Sequence, residues 1–170
     1  GIQKNWNDGR PTTPNQLGIN DVSFFNQLCD YMIANYPVDG AKIYATGISN
    51  GGFMASRLGC ELSNRIAAIA VNAATIEATT IAPNCNPGRP VPALYIHGTA
   101  DPLVPFTGGQ MTANGTAGGT ILSHFQAIDN WVTINACNAA PNVSDLPDIA
   151  NDGTTIKQRI YEGGRNGSEV

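Results

Sequence analysis

Glycines flank Ser49 in Gly47-Ile48-Ser49-Asn50-Gly51, and the pentapeptide stands where one local pattern gives way to another. Residues 42–46 form a short β-prone run, whereas Phe53-Met54-Ala55-Ser56-Arg57-Leu58 has helical character. Strand, sharp turn and helix in that order describe a nucleophile elbow. With 19 glycines in the chain, a Gly-x-Ser-x-Gly arises in roughly one shuffled sequence in twelve. The flanking pattern therefore carries the weight, against the competing reading of a glycine-rich turn with an incidental serine. In an elbow the serine backbone is strained, and the glycines are expected because neighbouring backbone passes too close to admit a Cβ. Ser49 is the candidate nucleophile, and the N–H of Asn50, at the start of the helix, is the candidate oxyanion donor.

The rest of the chain alternates in the same way. Residues 1–20, rich in Asn, Gly, Pro and Thr, read as an irregular loop. Asn20 or Asp21 then caps a helix whose apolar stripe is Val22, Phe25, Leu28, Cys29, Met32 and Ile33, closed by Pro37 and Gly40. A second helix is expected over residues 51–61. Residues 65–72 (RIAAIAVN) suit a strand covered on both faces, and residues 92–97 (PALYIH) repeat that character. The loop at 73–90 has room for a short helix. Residues 120–136 read as a helix with Ile121, Leu122, Phe125, Ile128, Trp131 and Val132 inward, and residues 154–161 as a last strand. This order predicts one α/β domain with a mostly parallel sheet and helices on both faces.

Asp101 follows directly on the strand at 92–97, so it lies at the same carboxyl edge as Ser49. The chain order Ser, Asp, His of such hydrolases makes it the candidate acid, against the alternative of a turn aspartate before Pro102. Neither histidine fits as the base. His124 falls inside a predicted helix and reads as a surface or packing residue, and His97 precedes the acid and reads as a structural group bonding the following loop.

Composition narrows the partners. A net charge of −4, a pI near 4.9 and no basic cluster offer no footprint for nucleic acid or an anionic membrane. No apolar run approaches a bilayer span, and Gly1-Ile2-Gln3-Lys4 is no signal peptide, so any export signal is expected to be removed or to lie upstream. Four cysteines with few lysines suggest a secreted, extracellular or periplasmic protein. The triplets at Asn114, Asn142 and Asn166 match the glycosylation pattern but carry little weight in so Asn-rich a chain. No cysteine spacing suggests zinc, and no cofactor is expected.

The sequence resembles the polyhydroxybutyrate depolymerase-like esterases, a family that also holds feruloyl and acetylxylan esterases of carbohydrate esterase family one. The residues that carry the resemblance are Trp6-Asn7, Asp21-Val22-Ser23-Phe24, Val38-Asp39, Ile43 through Gly52, Arg65 through Ala70, His97-Gly98-Thr99-Ala100-Asp101 with Val104-Pro105, and Trp131 ahead of Cys137. It implies an α/β-hydrolase with Ser49 as nucleophile and Asp101 as acid, acting on an ester that could be polymeric. It also implies that these 170 residues are a partial domain, lacking N-terminal strands with an oxyanion loop and a C-terminal segment with the catalytic His. Loss of the base costs on the order of a millionfold in kcat, so the chain alone is expected to be nearly inactive. Of the three possible cysteine pairings, Cys85 with Cys137 is favoured, because both should lie near the bottom edge of the sheet. The competing functions are a non-catalytic polymer-binding or scaffold module on the same fold, and a peptidase of that fold.

Overall fold

A computed structural model describes residues 4–113, 116–150 and 152–170; Asn114 of the first glycosylation triplet lies outside them. In chain order the elements are α1 (Thr13–Gln16), α2 (Asp21–Asn35), β1 (Ile43–Ile48), α3 (Asn50–Glu61), β2 (Ile66–Asn72), α4 (Ile81–Asn84) and β3 (Ala93–Ile96). They continue with β4 (Gly109–Ala113), β5 (Thr116–Ile121), α5 (His124–Asn135), β6 (Asn142–Leu146) and β7 (Ile156–Ile160).

Strands β1, β2 and β3 form a parallel sheet in that order, with Ala45 beside Ile69 and Ile69 beside Ala93. That row, with Gly47, Val71 and Tyr95, faces the core. Helix α3 covers it because Phe53, Met54, Ala55 and Leu58 are apolar at helical spacing and are buried there. The alternate row of the register runs through Tyr44, Ile48, Ala68, Ala70, Leu94 and Ile96. Thr46 and Asn72 also lie in this row, which is otherwise apolar, yet Tyr44, Ile48, Leu94 and Ile96 are exposed. Residues 168–170 run beside β3: Ala93 N donates to Glu169 O at 3.1 Å, and Tyr161 and Val170 exchange both backbone bonds.

Two polar clamps lock helix α5 to the sheet. Tyr95 Oη lies 3.0 Å from Ser56 Oγ and accepts from Trp131 Nε1 at 2.9 Å, joining α3, β3 and α5; burial pushes the phenol up to about 12. Asn135, fully buried, accepts from Val91 N at 3.0 Å and donates to Val91 O at 2.9 Å.

The expectations meet the structure unevenly. Asn20 caps α2 through Ser23 N, and Tyr36 at its end is extended, as the residue before Pro37 must be. Of the α2 stripe, Cys29 is buried and Val22 and Phe25 pack on the core, but Leu28 and Ile33 are exposed. Residues 1–20 are not wholly irregular, because α1 forms at Pro14, a favourable first-turn position. The helix expected from residue 120 begins at His124. Ser123 and Gln126 form a capping box that starts it there, and residues 116–121 pair with β4 as an antiparallel hairpin. The strand at Ile156–Ile160 joins β6 in a separate antiparallel pair instead of the main sheet. The short helix in the 73–90 loop is α4.

The favoured cysteine pairing is overturned. Cys60 is bonded to Cys85, with Cα atoms 4.8 Å apart, while Cys29 and Cys137 are free thiols. The reason is where α3 ends. Its last turn brings Cys60 beside the loop after α4, whereas Cys137 turns toward Ser168 O at 3.7 Å.

Candidate active site

Strand β1 runs into Ser49 and α3 leaves from it, so the serine is itself the N-cap. Its backbone has φ 54° and ψ −121°, a region that a side-chain-bearing residue occupies only when its surroundings force it. The hydroxyl makes no capping bond to the helix, and the residue is exposed. Ser49 N donates to Asn72 O at 3.0 Å, anchoring the turn to β2.

The crowding that forces this conformation differs from the expectation at one glycine. A Cβ on Gly47 would stand 2.3 Å from the carbonyl carbon of Gly51, and one on Gly52 would stand 2.8 Å from Ala74 Cβ. A Cβ on Gly51 would meet nothing within 4 Å. The steric need therefore falls on Gly47 and Gly52, and Gly51 matters as the backbone that Gly47 must clear.

Asn50 is the first residue of α3, where a helix N–H has no partner within the helix. Its side chain is fixed from outside. Oδ1 accepts from Trp6 N at 2.7 Å, and Nδ2 donates to Trp6 O at 3.1 Å and to Asp8 Oδ2 at 2.6 Å.

Asp101 lies beyond β3, on the same edge as Ser49 and with β2 between their strands. Its Oδ1 accepts from Leu103 N at 2.8 Å and Val104 N at 2.9 Å; Oδ2 is 3.5 Å from His97 Nε2. Burial alone would raise this carboxyl, but the backbone donors of Val104 and Leu103, with His97 beside them, outweigh it and hold the group below its ordinary value. The carboxylate is thus ionised and fixed in direction.

Both histidines serve the surroundings of Asp101. His97 has a wholly buried side chain, and Nε2 lies 2.9 Å from Val104 O. A carbonyl only accepts, so Nε2 carries the proton and His97 braces the loop as expected, leaving Nδ1 without a partner. His124 stacks on Phe106 with centroids 4.6 Å apart and meets the His97 ring edge-on. Burial, then the charges of His97 and Arg159, pull it down to about 4. Among the described residues no histidine bonds to Ser49.

The sequence reading missed the residues behind Asn50. Asp8 and Arg10 are both buried, and their charges meet at 2.6 Å. The signal available was weak: two opposite charges in an otherwise polar loop, with no spacing that ties them to position 50.

Parallel strands whose carboxyl ends carry a strained serine on one loop and a fixed aspartate on another are the framework of the α/β-hydrolases, and this chain is of that class. The profile of the phospholipase/carboxylesterase family matches residues 10–118, well over half of the chain, which belongs to that family. It is similar to feruloyl esterase B of Piromyces equi, 31% identical over 137 residues that make up 80% of this chain and 25% of the relative. Feruloyl esterase C of Emericella nidulans is 33% identical over 95 residues, 55% of this chain and 33% of the relative. The bifunctional acetylxylan esterase/xylanase of Neocallimastix patriciarum is 29% identical over 87 residues, 51% of this chain and 12% of the relative. The chain therefore spans a third or less of the length of these three relatives.

Proposed function

We propose that these residues are the nucleophile-bearing part of a secreted serine esterase that cleaves carboxylic esters, either feruloyl or acetyl esters of polysaccharide or polyhydroxyalkanoate esters. The observation that carries the reading is the backbone of Ser49, which holds an uncapped hydroxyl at φ 54° on the first turn of α3. In the proposed reaction Ser49 Oγ bonds to the ester carbonyl carbon while its proton passes to a histidine, and the Asn50 N–H helps hold the oxyanion. The alcohol then leaves with that proton, and water releases the acid from Ser49 by the same steps. Asp101 orients the imidazole and stabilises its charged form.

The histidine lies outside these 170 residues in this reading. His97 supports that view by being enclosed against Val104 O, and His124 by its packing on Phe106. A partial domain is supported by the exposed apolar row through Tyr44, Ile48, Leu94 and Ile96. It is supported too by β1, which among the described residues pairs with β2 alone. Secretion is supported by the Cys60–Cys85 disulfide, and no helix among the described residues is long and apolar enough to cross a membrane. A polymeric substrate is supported by the similarity to the acetylxylan esterase/xylanase of Neocallimastix patriciarum.

Labelling the full-length protein with a fluorophosphonate and mapping the adduct tests the nucleophile. The expected result is modification at Ser49 and none in Ser49→Ala; an adduct elsewhere, or none, overturns the reading. The isolated 170-residue chain is expected to hydrolyse a p-nitrophenyl ester at less than a thousandth of the full-length rate. Ordinary enzyme rates from that chain would mean that the base lies within it.

A further inference from the structure

The segment before α1 reaches the elbow through two buried charged residues, Asp8 and Arg10. Asp8 is 1% exposed, and its carboxylate accepts from Arg10 Nη2 at 2.6 Å, Arg10 Nε at 3.0 Å, Arg10 N at 3.1 Å and Asn50 Nδ2 at 2.6 Å. Arg10 in turn lies over the Phe53 ring at 4.1 Å, and Nη1 meets Met111 Sδ at 3.4 Å. Phe53 is buried one turn into α3, so the ion pair is bolted to the same helix whose first N–H is at issue.

An ion pair this deep is hard to account for as stabilisation. Removing two charges from water costs several kcal/mol each, and a well-packed apolar pair is often as stable. What the pair does supply is direction. Asn50 has both ends of its amide engaged, on Trp6 N, Trp6 O and Asp8 Oδ2, and the last of these is a charge-assisted bond to a group that cannot turn. We infer that Asp8 and Arg10 are positioning residues for Asn50: through its side-chain amide they hold the peptide between Ser49 and Asn50 so that its N–H points at the oxyanion. Arg10 is needed for a second reason. A lone carboxylate beside that site would repel the charge that develops in the reaction, and the guanidinium makes the pair neutral.

The inference rests on Ser49 as nucleophile. It assigns a role to the Asn50 side chain that is separate from the backbone N–H, which every residue except proline would supply. A donor displaced by a fraction of an ångström loses part of the hundredfold to thousandfold effect of a well-placed one.

The test uses the full-length enzyme with p-nitrophenyl acetate as substrate and 2,2,2-trifluoroacetophenone as inhibitor, the latter forming a tetrahedral adduct with the serine. Asn50→Ala is expected to lower kcat by about tenfold to a hundredfold with KM within about threefold, and to weaken the ketone by the same factor as kcat/KM. Asp8→Asn is expected to change kcat and the ketone in the same direction, and Asn50→Ala decides the matter if Asp8→Asn does not fold. A purely structural role would lower the melting temperature and leave kcat per titrated active site and the ketone unmoved; that result overturns the inference and leaves the nucleophile standing. Hydrolysis that survives Ser49→Ala overturns both.

Discussion

At the scale of single residues, the two glycines of the serine motif are not equivalent, and substitution should separate them. Gly47→Ala puts a methyl group 2.3 Å from the Gly51 carbonyl carbon; the elbow cannot close around it, and full-length protein carrying it should lose activity and several kcal/mol of stability. Gly51→Ala meets nothing within 4 Å at a helical position. It should fold normally and gain about 0.5 kcal/mol, read from denaturant unfolding, because alanine is the better helix former. Equal damage from both changes would contradict this geometry. A second residue-scale effect concerns His124, held neutral down to about 4 by burial against Phe106, with His97 and Arg159 adding to the shift. The unfolded chain takes up a proton near 6.5, so the stability contributed by the neutral ring is complete above that pH and drains away as pH falls toward 4. His124→Phe should flatten the fall in unfolding midpoint between pH 6.5 and 4.

At the scale of elements, the disulfide staples the end of α3 to the loop after α4 across a 25-residue separation. Reduction, or Cys60→Ala with Cys85→Ala, should lower the unfolding free energy by about 3 kcal/mol, measured by urea titration. This is also the level at which the sequence was most and least readable. The elements around the serine were legible because composition and punctuation agree there: a β-prone run in residues 42–46, helical character in residues 53–58, and glycine between them. The hairpin of β4 and β5 was not, because Ile121, Leu122 and Phe125 mimic helical spacing, while Gly118 and Gly119 dilute the strand pattern. Ser123 and Gln126 were the overlooked sign, since a capping box starts a helix regardless of what precedes it. Asp101 was legible from its place after a strand. The pairing of Cys60 and the reach of Asp8 to Asn50 were not, because contacts 25 and 42 residues apart leave no periodic trace.

At the scale of the whole molecule, one face of the sheet is closed by α3 while the other displays Tyr44, Ile48, Leu94 and Ile96. If further segments of a complete hydrolase cover that row, as the partial-domain reading holds, Leu94→Ser with Ile96→Ser should act in opposite directions in two contexts. The isolated chain should become more soluble and bind less of a hydrophobic dye, whereas the full-length protein should lose about 3–5 kcal/mol of stability. Improved solubility without loss in the full-length protein would mean that the row faces water there too.

Asn135 shows how a helix can be spliced to a strand through one side chain. Its side-chain amide presents one acceptor and one donor to the two backbone groups of Val91, the pair of bonds that a neighbouring peptide unit would make. A helix residue thus impersonates a piece of strand, and the splice lies two residues before β3. Helix α5 is thereby joined, by side chain as well as by packing, to the start of the strand whose far end leads to Asp101.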